Sequence, residues 1–433
     1  MLVKVRPSNE ALLFPKPLLR GVAKAALDCA HRATIIHLID PSKLACYSSF
    51  GGAPMLVYVR PSNEALLRAR VPGAQDQCGC PSNPFHRGGS ASKKGAWPLP
   101  SPPYHSVIWY GRGSRNLTMT IQAQFPGEQS VEGAFTRQPD VFQGWVTANN
   151  GSSSYPAARG RYHLYVSWAC PWAHRTIIVR KLKKLEDVIG MTVVDPIRDE
   201  RGWAFHEGPG HSLDPINGFQ FLSQAYKATD PNYQGRFTVP VLWDTVTKRI
   251  VTNSDDDLMR MFNGEFNRFT QSTIDLYQDG IRKEIDDLNT FIYENVNDGV
   301  YRAGFATSQQ AYERAVRRLF DALDQLEARL ARQRYLFGSQ FVETDWRLFV
   351  TLVRFDAVYH GHFKCNLRRI IDYPNLFGYL KDLYQTDGIA DTVNFDHIKR
   401  HYYITHNDIN PTRIVPLGPD QDLTTPHGRE LLR

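Results

Sequence analysis

The sequence predicts an α/β domain followed by an all-helical half, with a basic segment in front that belongs to neither. Three observations carry this. A β-α-β pattern and then a β-β-α pattern follow one another between about residues 162 and 262. After Ser272 the apolar residues recur at helical spacing nearly to the end. The first 118 residues hold 15 Lys+Arg against 5 Asp+Glu, a charge of +10, while the remaining 315 hold 36 against 39, or −3. The overall +7 therefore belongs to the N-terminal segment, and the body of the chain is not a polyanion binder.

Tyr162–Val166 reads as a strand by alternation and β-branching. Pro171 opens a helix to about Leu185, since proline is tolerated in a first helical turn. Val188–Val194 reads as the next strand. This β-α-β unit implies a right-handed crossover and parallel strands. An insert of about 40 residues follows, from Asp195 to Gly235, rich in Gly, Pro and aromatics. Its length marks it as functional. Thr238–Asp244 is a third strand, Arg249–Asn253 a fourth, and a helix runs from about Asp255 to Phe262. Within Ser308–Gln333, Leu319, Leu323, Leu326 and Leu330 form one apolar helix face. Phe349, Leu352, Val353, Phe355 and Asp356 mark a further buried helix. The expected division is 1–118, 119–270 and 271–433, the last two packed side by side.

The N-terminal segment is of a different kind. MLVKVRPSNEALL (1–13) recurs as MLVYVRPSNEALL (55–67). Two copies are too few for a solenoid, so a recent duplication or a gene-model artefact explains them better. Residues 71–106 have a Pro/Gly/Ser composition that buries too little apolar surface to offset ordering entropy. Residues 1–37 carry the basic, acid-poor pattern of a mitochondrial transit peptide. An untranslated or mis-spliced extension, with Met119 as the start, is the competing reading. No run of about 18 apolar residues exists to span a membrane. Four of the six cysteines lie in this segment. The Cys78-x-Cys80 pair has no second pair at metal spacing, so no zinc site is expected there. Two cysteines in the body exclude a disulfide scaffold and fit a reducing compartment such as the cytoplasm, with mitochondria the alternative if residues 1–37 target the chain.

Cys170 is the chemical candidate. It lies after a strand and directly before the helix opened by Pro171, in Ser167-Trp-Ala-Cys-Pro-Trp-Ala-His-Arg175. Free N–H groups and the dipole of a helix N-terminus favour a thiolate there, and its pKa is expected to fall below about 8.5. His174 and Arg175 are expected to add positive potential. The competing reading is a small buried hydrophobe. Position 173 is not Cys, so the thiol works alone or with an external thiol such as glutathione. Pro240, between two valines of an apparent strand, requires either an edge strand or a cis peptide after Val239. The cis form leaves the Val239 backbone to pair with a peptide-like ligand.

YHLYVSWACPWAHR, TVPVLWD, VYHGHFKCN, DYPNL and HIKRHYY together resemble the glutathionyl-hydroquinone reductases, the Xi class of glutathione transferases, related to the omega class. The resemblance covers roughly Glu132 to Pro419. It implies a thioredoxin-like N-terminal domain, an all-helical C-terminal domain and a homodimer. It implies that Cys170 attacks the sulfur of a glutathionyl-hydroquinone and forms a mixed disulfide with glutathione, which a second glutathione resolves. Glutathione is then a co-substrate, and no metal is needed. The resemblance maps glutathione contacts onto Trp203, Arg236, Val239, Pro240, Ser254 and Asp255. Relatives carry an acidic residue and then Ser at the last two positions. Here the order is reversed, and weaker glutathione binding is expected. Where the fold has a capping Ser/Thr three residues before Asp345, this chain has Val342, an expected loss of about 1 kcal/mol. The aromatic substrate is expected between the domains, with Tyr293, Tyr301, Tyr359 and Tyr402 as candidate hydroxyl donors. The alternatives are an omega-like thioltransferase or dehydroascorbate reductase, and a catalytically weakened binder of glutathione or aromatic ligands. No nucleic-acid or membrane partner is expected.

Overall fold

A computed structural model describes residues 44–50, 53–59, 126–148 and 154–432. The chain divides into two compact units, Met1–Trp109 and Tyr110–Arg433. In the first unit, β1 (Leu44–Phe50) and β2 (Ala53–Val59) form an antiparallel pair with Phe50 opposite Ala53. The start of the second MLVYV copy lies in β2. The first copy, the transit-peptide pattern and the Pro-rich stretch lie outside the described residues.

The second unit contains a four-stranded mixed sheet in the order β4-β3-β5-β6. The strands are β3 (Tyr162–Val166), β4 (Gly190–Val193), β5 (Val241–Asp244) and β6 (Arg249–Thr252). β3 runs parallel to β4, as the crossover requires, and antiparallel to β5; β5 pairs antiparallel with β6. Every residue of β3 and β5 is buried, which is the condition of central strands covered on both faces. The connecting helix α1 (Pro171–Leu182) packs against α3 (Asp255–Gly264), and the short α2 (Ser223–Thr229) packs against β6.

The third strand is shorter than expected. It starts at Val241, so Pro240 precedes it and costs the ladder no donor. β5 is internal, which removes the edge-strand reading, and the Val239–Pro240 peptide is cis. Helix α2 was not visible in the polar insert because it is short and has no apolar period.

The C-terminal half comprises α4 (Arg282–Ile292), α5 (Gly299–Gly304), α6 (Gln309–Leu330), α7 (Glu343–Arg354), α8 (Pro374–Tyr384) and α9 (Phe395–Arg400). Ser308 caps α6 by accepting from the Ala311 N–H, and the four expected leucines are its buried face. All twelve residues of α7 are buried, including Glu343, Asp345, Arg347 and Arg354, so this core helix carries charge and must pair it. Val342 caps α7 with no side-chain acceptor. Only the reciprocal half of the box exists, with Asp345 accepting from the Val342 N–H at 2.8 Å.

Three helices run on into single π-helical turns: Tyr293–Asn297 after α4, Phe355–Tyr359 after α7 and His401–Thr405 after α9. Such turns re-aim side chains at functional sites. Each holds one of the four tyrosines singled out from the sequence. Among the described residues no helix is long and apolar enough to cross a membrane.

Candidate active site

β3 ends at Val166, and the chain turns through Ser167-Trp168-Ala169 to deliver Cys170 at the start of α1. The sulfur is the helix cap: Sγ accepts from the Ala173 N–H at 3.5 Å. It also lies 3.4 Å from the Val239 carbonyl, to which the thiol donates. The cis Val239–Pro240 peptide thus brings the β5 approach against the start of α1.

Arg354 of α7 fixes this turn from the helical half. Its Nε donates to the Ala169 carbonyl at 3.0 Å, and its Nη2 donates to the Trp168 carbonyl at 2.9 Å. Its Nη1 donates to the Val350 carbonyl and to Nδ1 of His174. His174 therefore carries its proton on Nε2, which donates to Thr392 Oγ1 at 2.8 Å. Burial, with Arg354 beside it, holds His174 well below its ordinary pKa, so it is neutral.

Arg175 is likewise committed elsewhere. It is buried, 2.7 Å from Asp255 Oδ2, 3.3 Å from Asp256 Oδ1 and 2.7 Å from Asn297 Oδ1. The positive potential expected from His174 and Arg175 is therefore absent at the sulfur; Arg137 and Arg354 supply it instead. The net direction also differs from expectation. Burial pushes the Cys170 thiol up, and the N–H groups of Ala173 and Trp172 and the charges of Arg137 and Arg354 pull it down. A helix N-terminus lowers a thiol relative to the same burial without it; it does not cancel an enclosed floor.

Cys170 opens onto a cleft whose lining mixes aromatic rings with a few charged side chains, the composition of small-molecule sites. Trp203, Arg236 and Val239 line it, as do Tyr301 and Tyr402. Trp203, from the insert, stacks on His401 at 4.9 Å between ring centres. Arg236 Nη1 contacts both carboxylate oxygens of Glu128, at 2.8 and 2.6 Å. Tyr301, Tyr402 and Tyr359 form a hydroxyl chain, 2.5 Å from Tyr301 to Tyr402 and 3.0 Å from Tyr359 to Tyr402. Burial holds Tyr301 and Tyr402 well above the usual phenol range, so both remain protonated donors at neutral pH.

Several expected residues stand behind the lining rather than in it. Tyr359 lies beneath Tyr402, and Tyr293 packs on Trp172 at 5.8 Å. Ser254 caps α3, accepting from the Asp257 N–H at 3.2 Å. Asp255 is buried against Arg175. Pro240 supports Val239 without lining the cavity.

The sequence reading missed Arg137, Arg198, Asp298, His401 and His406, all in the lining, and Arg354 behind it. Arg137 lies over Trp172 at 4.5 Å. Burial lowers Arg198 to about 10. Arg354 had a signal, a lone arginine in the apolar run Phe349–Phe355. Arg137 and Arg198 had none, since their sequence neighbours are ordinary polar residues.

Comparison with known proteins matches residues 169–262 to the glutathione S-transferase N-terminal domain and residues 309–382 to the glutathione S-transferase C-terminal domain. The chain is 50% identical over 309 residues to the glutathionyl-hydroquinone reductase YqjG of Escherichia coli, covering 70% of this chain and 94% of that protein. It is 48% identical over 295 residues to the glutathionyl-hydroquinone reductase PcpF of Sphingobium chlorophenolicum, covering 68% and 93%. Among solved structures, the glutathione-bound form of the Escherichia coli protein superposes with a TM-score of 0.66 at 51% identity, covering 67% of this chain and 96% of that one. The glutathione S-transferase Xi of Phanerochaete chrysosporium gives 0.66 at 49% identity, covering 67% and 95%.

Proposed function

The chain belongs to the glutathionyl-hydroquinone reductases, the Xi class of the glutathione S-transferase family, and from that premise we propose that it reduces glutathionyl-hydroquinones through Cys170. The observation that carries the mechanism is a single sulfur capping α1 at the floor of the cavity, with protonated tyrosine hydroxyls also in its lining.

The Cys170 thiolate attacks the glutathione sulfur of the conjugate. The carbon–sulfur bond breaks, its electron pair stays on the ring carbon, and that carbon takes a proton. Hydroquinone leaves, and Cys170 holds glutathione as a mixed disulfide. A second glutathione thiolate attacks the glutathione sulfur of that disulfide and frees Cys170, giving glutathione disulfide. Over the cycle one glutathione thiol and the sulfur of the conjugate are joined as the disulfide, losing one electron each, and the ring carbon gains those two electrons with a proton, so the electrons balance without a metal.

In this reading Trp203 covers the peptide, the Val239 backbone pairs with it, and Pro240 holds that backbone in place. Arg236, shared with Glu128, attracts a carboxylate. Ser254 and Asp255 face the γ-glutamyl end from the start of α3. Tyr301 and Tyr402 donate to the hydroquinone oxygens, Tyr359 orients Tyr402, and Tyr293 supports Trp172. In the same reading the domains are 1–118, 119–270 and 271–433, the enzyme is a homodimer, and a reducing compartment such as the cytoplasm keeps its thiols free.

Incubation of the enzyme with a glutathionyl-hydroquinone and glutathione should release hydroquinone and glutathione disulfide in equal amounts. No release, or release undiminished in Cys170→Ala, would overturn the proposal. A second reading has one specific support: the Asp255 carboxylate is tied to Arg175, so it offers a γ-glutamyl ammonium less than a free carboxylate would. Tight glutathione binding in calorimetry without turnover would favour a binding protein over an enzyme.

A further inference from the structure

The insert that supplies Trp203 holds a second cluster of chemistry-bearing side chains, none of which lines the cavity. Asp195 lies two residues past the end of β4, and His206 and His211 flank the turn around Gly208. One donor atom from each of the three lies within 4.8 Å of the others. The three residues are prepared for a common ligand in complementary ways.

Asp195 is buried. Its Oδ1 accepts from the Ile197 N–H at 2.5 Å, which orients the carboxylate and leaves Oδ2 to face His206 Nε2, also at 2.5 Å. His211 is buried too, and its Nδ1 donates to the His206 carbonyl at 2.7 Å. A carbonyl can only accept, so Nδ1 carries the proton and Nε2 keeps the lone pair. This is the outer hydrogen bond that fixes the tautomer of a metal-binding imidazole. A side chain at Gly208 would collide with Nε2 of His211, so glycine is what permits that ring position. His206 is the mobile member, with its side chain 55% exposed.

A further imidazole stands beside them. His397 of α9 packs 5.7 Å from the His211 ring, and its Nε2 donates to the Pro209 carbonyl at 2.6 Å. By the same argument its Nδ1 holds a lone pair, and that buried nitrogen has no hydrogen-bond partner.

We propose that Asp195, His206 and His211 bind a first-row divalent transition metal, with Zn²⁺ as the representative ion. Two imidazole nitrogens and one carboxylate oxygen suit such an ion better than Mg²⁺ or Ca²⁺, which prefer all-oxygen shells. Three protein ligands leave a fourth tetrahedral position for water. The ion takes the place of the direct contact between His206 Nε2 and Asp195 Oδ2. Metal–ligand bonds of about 2.0–2.2 Å place tetrahedral ligands roughly 3.3 Å apart, so His206 must swing outward by about 1 Å, which its exposure allows. The consequence is mechanical. The ion ties the start of the insert to the turn that touches α9, and so fixes the loop on which Trp203 stacks against His401.

The test uses the tag-free full chain, stripped with chelator and titrated with Co²⁺. The expected result is one equivalent bound, with visible d–d bands of a low-coordinate N/O site and displacement by Zn²⁺. Affinity should fall as pH is lowered, as for any site built from imidazole and carboxylate ligands. The His206→Ala/His211→Ala variant should bind at least tenfold more weakly while keeping its metal-free melting temperature, and Asp195→Asn should also weaken binding. Wild-type affinity no greater than that of the double variant would overturn the proposal. So would a thiolate-to-cobalt charge-transfer band, which would assign the ion to cysteine rather than to these three residues. Both readouts are independent of whether the enzyme reduces glutathionyl-hydroquinones.

Discussion

Two helices of the N-terminal half begin side by side and use the same backbone device for opposite ends. Helix α1 starts on Cys170, whose sulfur accepts from the Ala173 N–H, and it has no acid in its first turn. Helix α3 starts on Ser254, whose hydroxyl accepts from the Asp257 N–H, and its first turn is Asp255-Asp256-Asp257. At α3 the free N–H groups and dipole are already answered by carboxylates, and those are held by buried arginines. Arg175 takes Asp255, and Arg347 of α7 contacts Asp256. That start is a structural clamp between the two halves. At α1 no carboxylate answers the dipole, and the acceptor is a sulfur open to a cavity. A helix N-terminus becomes reactive when the group it stabilises is also accessible and is not neutralised by the protein itself.

The largest effect should come from removing the acceptor at α1. Cys170→Ser should lower reductase turnover by about 10³-fold or more, and intact mass after glutathione disulfide treatment should show no adduct of 170. Cys365, buried with its thiol pushed far up by desolvation, should stay unmodified in both proteins. Turnover undiminished in Cys170→Ser would erase the distinction between the two helix starts.

Breaking the clamp at α3 should act on stability instead. Asp255→Ala leaves Arg175 buried without its nearer carboxylate and should cost roughly 3 kcal/mol, at the low end for a broken buried pair because Asp256 and Asn297 remain. Urea unfolding measures this. Turnover lost without any loss of stability would show that Asp255 serves the site rather than the clamp.

Arg137 sharpens the comparison through pH. Its charge lowers the Cys170 pKa against the burial that raises it. Arg137→Gln should therefore raise the thiol pKa, reduce the thiolate fraction near neutrality and move the alkaline-rising limb of the pH–rate profile to higher pH. An unmoved limb would show that Arg137 does not face the thiolate during turnover.

The smallest effect tests a third helix start. Val342 caps α7 with no side-chain acceptor, and Val342→Thr keeps the shape while adding one. It should stabilise the protein by about 1 kcal/mol, read from denaturant midpoints, with turnover unchanged.

Much of this was legible along the chain. The strand before Cys170, the proline after it and the helical spacing beyond are local patterns, and they put its sulfur at the start of a helix, where the structure has it. The residues that set its environment were not legible in the same way. His174 and Arg175 are its near neighbours in sequence, yet one is neutral under Arg354 and Thr392 and the other is spent on Asp255 and Asn297. The cations that face the sulfur come from Arg137 and from Arg354, which is 185 residues away from the Ala169 carbonyl it holds. The four tyrosines were recognisable as candidates, but only the tertiary packing separates Tyr301 and Tyr402, in the lining, from Tyr293 and Tyr359 behind it.

By itself the sequence determined most of the elements, the two-part body and the position of a lone thiol at a helix start, because periodicity, capping and turn preference act over a few residues. Tertiary structure alone decided the electrostatics of that thiol and the partners of the α3 acids. Potential falls with distance in space, and the groups nearest in space are supplied by segments far apart in the chain.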